Sequence, residues 1–192
     1  MIPYRRIRWP LFTLLALALA LALGCAGSSG PAAKSQQPAA SGSLPSVGSQ
    51  VGDLILPFTV RLLDGSTVRS DELLSQGQPT FIFFFKPGCA VCFAEARLLQ
   101  GIYPDYGDRV TFLALSYAAN LELGHGERVW KQENWPWLIG EPMGTMARDY
   151  RITISSTKIA FDSRGVIIYR AGFGEGGDDK FRQVFKQLVA SG

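Results

Sequence analysis

Beyond residue 50 the chain changes its hydrophobic period several times, and each change marks an element. Phe58 to Leu62 alternates apolar and polar positions, the period of a half-buried strand. Asp64-Gly65 is a turn signal, and Thr67-Val68 resumes extended chain. Ser70 to Leu74 reads as a capped helical turn broken by Gly77 and Pro79. Thr80 to Phe85 is apolar on both faces, as in a central parallel strand. Phe93, Ala94, Ala96, Leu98, Leu99 and Ile102 then follow a helical period, and Pro104 and Gly107 are expected to end that helix. Val110 to Ser116 predicts a second central strand, Asn120 to Glu133 a helix, and Trp135 to Ile139 a short extended piece. Gly144 to Tyr150 suits a short helix. Lys158–Phe161 and Val166–Arg170 flank the hairpin turn Asp162-Ser163-Arg164-Gly165, and a last amphipathic helix starts at Asp178 or Asp179. The order predicts an α/β domain: a mixed sheet of four or five strands with helices on both faces.

The first fifty residues pattern differently. Arg5, Arg6 and Arg8 precede Leu11 to Leu23, a run in which only Thr13 is polar. That run is short for a membrane span and suits the apolar core of an export signal, so residues 1–24 are read as a signal peptide. An uncleaved signal anchor is the alternative. Gly24-Cys25 closes the run and resembles the lipobox of bacterial lipoproteins, with Ala22 and Leu23 departing from the preferred residues. The resemblance implies a diacylated Cys25 held in the lipid bilayer; the alternative is a cysteine removed with the signal. Residues 25–50 are rich in Gly, Ser, Pro, Ala and Gln and carry one charge, Lys34. Such a segment buries no core and reads as a disordered tether with a reach of roughly 25–30 Å. The folded domain is then residues 51–192, a normal size for one core.

Charge narrows the partners. The 192 residues carry 19 Lys and Arg against 16 Asp and Glu. The excess is the three arginines of the leader, so from residue 25 onward bases and acids balance. A neutral domain offers no electrostatic basis for nucleic-acid binding.

The chemistry lies in Cys89-Ala90-Val91-Cys92, directly behind the buried strand and ahead of the helix. Two thiols at this spacing close a small reducible disulfide. A helix N-terminus favours the thiolate, the species that attacks disulfides and binds metals. Cys89 is the expected attacking sulfur and Cys92 the resolving one. An inert structural disulfide gains little here, because so short a loop contributes little closure entropy.

These features together resemble the thioredoxin-like superfamily, and within it the membrane-tethered thiol-disulfide oxidoreductases of the TlpA and ResA type. The opening pattern is matched by Gly52, Asp53, Pro57, Phe58, Asp64 and Gly65, the strand-CxxC unit by Phe81 to Cys92, and the late stretch by Tyr150 and Asp162 to Gly165. The resemblance implies a thioredoxin-like fold, protein disulfide or dithiol substrates, and a thiol-transferring membrane protein as electron donor. It also implies a place in the bacterial cell envelope outside the cytoplasm. No bound cofactor or metal is required. Glu95 matches a glutamate the family carries three residues after the second cysteine, and the match implies that it helps deprotonate Cys92 or tunes its pKa; a solvated helix glutamate is the alternative. The family's cis-proline falls by spacing at Ser156, after Ser155, and no proline follows Pro142. A cis bond before a non-proline residue costs about 2.5–4 kcal/mol, so a trans or rearranged loop is expected.

Two other functions fit the same residues. Cys89 and Cys92 could bind copper(I) together with Met143 or Met146, soft ligands for a soft ion. A redox-inert binding domain is the third. Lys86, His125 and the tryptophans Trp130, Trp135 and Trp137 are read as surface or core residues.

Overall fold

A computed structural model describes residues 44–117 and 134–191. The leader 1–24, Cys25, most of the tether, and the helix expected over Asn120–Glu133 with His125 and Trp130 lie outside the described residues.

Nine strands are described, in two sheets. β1 (Val47–Gly48) and β2 (Leu54–Ile55) form a small parallel pair. β3 (Thr59–Leu62), β4 (Thr67–Arg69), β5 (Thr80–Phe85), β6 (Thr111–Ser116), β7 (Leu138–Pro142), β8 (Lys158–Phe161) and β9 (Ile167–Ala171) form one sheet in the order β4-β3-β7-β6-β5-β8-β9. The central pairs β5–β6 and β6–β7 are parallel, and the flanking pairs are antiparallel. The described helices are α1 (Ser70–Ser75), α2 (Ala90–Tyr106), α3 (Met146–Asp149) and α4 (Asp178–Ala190).

Alternation along β5 divides the core. Phe81, Phe83 and Phe85 face α2 and α4, meeting Ala96, Leu99, Ile102, Phe181 and Phe185. Ile82 and Phe84 point the other way, into a cluster with Leu73 of α1 and Met146 of α3. Each fully buried phenylalanine contributes roughly 1.5–3 kcal/mol of transfer free energy. A strand with all six residues buried therefore locks the centre of the sheet and fixes where its C-terminal end, and hence the CxxC, emerges.

Three expectations need correction. The sheet has seven strands rather than four or five, because the β3–β4 hairpin joins through β7, where Arg61 pairs across to Glu141. β7 holds Gly140 and Pro142, residues depleted in strands, so its sequence hides its pairing. The α2 helix runs through Pro104 to Tyr106. A proline so near the end removes one backbone bond, and Gly107 N–H still closes on the Tyr103 carbonyl at 2.8 Å. Residues 46–50, assigned by composition to the tether, belong to the folded part: the Asp53 carboxylate accepts from Ser46 Oγ at 2.5 Å and from Gln50 N–H at 2.9 Å. Those bonds, Ser46 foremost, hold Asp53 below the usual carboxylate range.

Candidate active site

β5 ends at Phe85, and the chain turns through Lys86-Pro87-Gly88. Gly88 sits at φ +75°, a left-handed conformation open to glycine without penalty. Cys89 N–H donates to the Lys86 carbonyl at 3.3 Å and closes this turn. Cys89 is the N-cap of α2, and its carbonyl accepts the first helical bond from Phe93 N–H at 3.2 Å.

Cys89 and Cys92 are joined as a disulfide, with 5.2 Å between their Cα atoms. The two sulfurs are not equivalent. Cys92 is fully buried, whereas Cys89 is partly exposed at the helix end. Cys89 Sγ also accepts from Cys92 N–H at 3.1 Å. The same donor and the aligned peptide dipoles of a 17-residue helix would face a thiolate at Cys89 after reduction. Lys86, expected to be a solvated lysine, is half-buried, with its ammonium 4.9 Å from the centre of the Tyr117 ring. Trp135 and Trp137 are buried in the core on the α2 side, Trp135 edge-on to Phe85.

Glu95, one turn beyond Cys92, is not a solvated helix residue. It is 5% exposed and receives both of its charge-assisted bonds from Lys158, at 2.8 and 3.0 Å. Lys158 opens β8 opposite Phe83 and is itself fully buried. Burial holds its ammonium pKa below the ordinary lysine value, and the hydrogen bond and charge of Glu95 oppose part of that shift. The sequence reading missed this partner. The available signal was a lysine heading a strand whose other residues are all apolar.

Ser156 lies in the loop before β8, with φ +61° and no exposure, and all described peptide bonds are trans. Phe84 N–H bonds the Thr157 carbonyl at 2.8 Å, which carries the β5–β8 pairing one residue beyond the named strands. Continued once more, that register sets Ser156 level with Phe85, the residue from which the chain turns toward Cys89. Ser156 Oγ accepts from Gly174 N–H at 3.4 Å, tying this loop to the β9–α4 connection. Ser155 is half-buried beside it, and Ile154 and Phe173 expose about half their surface on the two loops.

The methionines do not join the sulfurs. Met146 is buried in the core on the opposite face of the sheet from Cys92, and Met143 lines a groove of about 680 Å³ with it. Among the described residues there is no cluster of three or more His, Cys, Asp or Glu able to hold a metal. No described helix is long and apolar enough to cross a membrane.

No family model and no curated protein matches this chain. Solved structures do match. One is a secreted Mycobacterium tuberculosis disulfide oxidoreductase homologous to E. coli DsbE, 20% identical, covering 68% of this chain and 96% of that one at a TM-score of 0.58. The fold is thioredoxin-like. Two more solved structures agree on this architecture. The thioredoxin domain of a Bacteroides vulgatus thiol-disulfide oxidoreductase is 20% identical over 72% of this chain and 98% of its own, with a TM-score of 0.62. A thiol:disulfide interchange protein of the thioredoxin family from Chlorobium tepidum is 17% identical over 71% and 95%, with a TM-score of 0.59. At these identities the likeness is one of fold. Within the thioredoxin-like domain, the strand β5, the turn and the start of α2 are what bring Cys89 and Cys92 together.

Proposed function

We propose that this chain is a thiol-disulfide oxidoreductase of the cell envelope that reduces protein disulfides through Cys89 and Cys92. The observation that carries this reading is the disulfide at the start of α2, with one sulfur reachable and the other sealed. In the reducing direction, the Cys89 thiolate attacks a substrate disulfide and releases one substrate thiolate, which takes up a proton. Cys92 then loses its proton to the Glu95 carboxylate and attacks the Cys89 sulfur. The mixed disulfide breaks, the second substrate thiolate leaves, and the protein is left oxidised by the two electrons the substrate gained. Exposed Ile154 and Phe173 suit a protein substrate laid beside Cys89. A thiol-transferring membrane protein would return the electrons, and Cys25, diacylated after removal of residues 1–24, would hold the domain at the bilayer by two acyl chains.

Trapping tests the reading. Cys92→Ser is expected to accumulate partners linked covalently through Cys89, released by dithiothreitol and absent from Cys89→Ser. No Cys89-dependent adduct would sink the assignment. Because a trans serine stands where the resemblance implies a cis-proline, turnover of an insulin disulfide is expected to be slow compared with ordinary thioredoxin. Labelling with radioactive palmitate that survives Cys25→Ser would remove the lipid anchor.

A further inference from the structure

Beneath the disulfide lies a charge pair whose basic half the exchange steps above leave without a role. The Lys158 ammonium has three donors, and all are used: two on the Glu95 carboxylate and one on the Gly172 carbonyl at 2.7 Å. The β9–α4 connection lies over the pair. Gly172 N–H donates to Glu175 Oε2 at 2.5 Å, and Gly176 approaches so closely that a Cβ there would stand 2.4 Å from Glu95 Oε1. Only glycine fits that approach, so the covering chain rests directly on the carboxylate. Glu95 and Cys92, three residues apart on α2, are neighbours on its buried face. Among the described residues, the ionisable groups facing the pair from the packed elements are Tyr169 on β9 and Glu175 on the connection.

We propose that Lys158 is a positioning residue for the resolving step: through its ion pair it holds the Glu95 carboxylate aligned and charged beside Cys92, and so sets the pH range in which Cys92 gives up its proton. This rests on the dithiol exchange reading. A buried carboxylate stripped of its counter-charge favours its protonated form, in which it accepts no proton. The electron balance of exchange is unchanged; Lys158 acts only on where the Cys92 proton goes. The proton passes to Glu95 as the Cys92 sulfur closes on Cys89, and leaves with the departing thiolate.

The reduced full-length protein mixed with one equivalent of 5,5′-dithiobis(2-nitrobenzoate) separates the steps. Attack by Cys89 releases the first nitrothiolate, and resolution by Cys92 releases the second. Lys158→Met is expected to move the pH midpoint of the second phase up by about one unit or more relative to the first, the size of effect an adjacent opposite charge exerts. Lys158→Gln, which keeps a hydrogen-bond donor but no charge, is expected to do the same and covers a failure of the methionine variant to fold. In a Glu95→Gln background the substitution at 158 is expected to leave the second phase unmoved, since the acceptor is gone. Loss of stability alone would not shift a midpoint. Midpoints unchanged in both variants, with both phases intact, would overturn this inference and leave the exchange reading standing. Absence of a Cys89-dependent first phase in the unaltered protein would overturn both.

Discussion

The Glu95–Lys158 pair allows a stability test that does not involve turnover. Lys158→Met removes the partner of a carboxylate whose side chain is 6% exposed, on a lysine with none. Breaking a buried pair from one side costs about 3–5 kcal/mol, because the remaining charge is left uncompensated. That is a large part of the roughly 5–15 kcal/mol that holds a domain folded. Replacing both partners by apolar residues, Glu95→Leu with Lys158→Met, strands no charge. It strands only the Gly172 carbonyl, an unmet acceptor worth about 1–3 kcal/mol. The double variant is therefore expected to be more stable than the Lys158→Met single. Urea unfolding of the oxidised protein at pH 7 reads both. The pH dependence adds a sign. Burial lowers the Lys158 pKa, so the unfolded chain binds more protons than the fold between the lowered value and 10.5, the unperturbed one. Stability carried by this group therefore rises with pH through that window, and Lys158→Met removes the rise. Tyr169 opposes it from above pH 10: burial, then the charges of Glu95 and Glu175, push its hydroxyl up to about 12, and stability is lost as pH climbs through that value. A Lys158→Met protein within about 1 kcal/mol of the unaltered one, or a double variant weaker than the single, would refute the buried-pair argument.

Other substitutions probe the two loops that meet beside the pair. Gly176→Ala drives a methyl group into Glu95 Oε1 and Phe181 Cζ, both 2.4 Å from the new Cβ, and is expected to destabilise by about 1–3 kcal/mol in urea unfolding. Gly177→Ala, whose Cβ meets nothing within 4 Å, serves as the contact-free comparison and is expected to cost less, at most about 1 kcal/mol for placing alanine at the N-cap of α4. Ser156→Pro restores the residue type the resemblance implies, but proline holds φ near −65° while the loop stands at +61°. It is expected to cost more than about 1 kcal/mol; a stabilised variant would show that the loop accepts the proline conformation.

What could be read from the sequence was local. The six buried residues of β5, the turn Asp162–Gly165 and the CxxC at a strand-to-helix junction each carry their signal within a few positions. Cys89 and Cys92 could be singled out because their spacing sits at one strand-to-helix junction, and Glu95, one turn on, because the family resemblance points to it. Lys158 was not, because it stands 63 residues from Glu95 and joins it only through the β5–β8 register. β7 was half hidden for a related reason: its pairing with β3 is a long-range event that Gly140 and Pro142 do not advertise. Nothing local marks the connection Gly172–Gly177 either: Gly172 and Gly176 sit where a carbonyl and a bare Cα reach the buried pair.

Two thiols three residues apart have nearly the same intrinsic chemistry, so directional exchange needs the fold to make them different. Here Ala90 and Val91 carry no charge or proton donor that could do so. The difference comes from depth. Cys89, at the cap, has amide donors and solvent, both of which favour a thiolate. Cys92 is enclosed by apolar side chains, where a thiol resists ionising and the second step would stall without a nearby proton acceptor. A lone buried carboxylate is a poor remedy, since the same enclosure favours its protonated form. A carboxylate tied to a buried ammonium escapes that limit while adding no net charge to the core. On the exchange reading such an arrangement depends on its exclusion of water, and the glycine connection packed against Glu95 supplies that cover. It follows that Gly176→Ala should slow the second nitrothiolate release more than the first. Equal slowing of both phases would mean that the covering loop serves the fold alone.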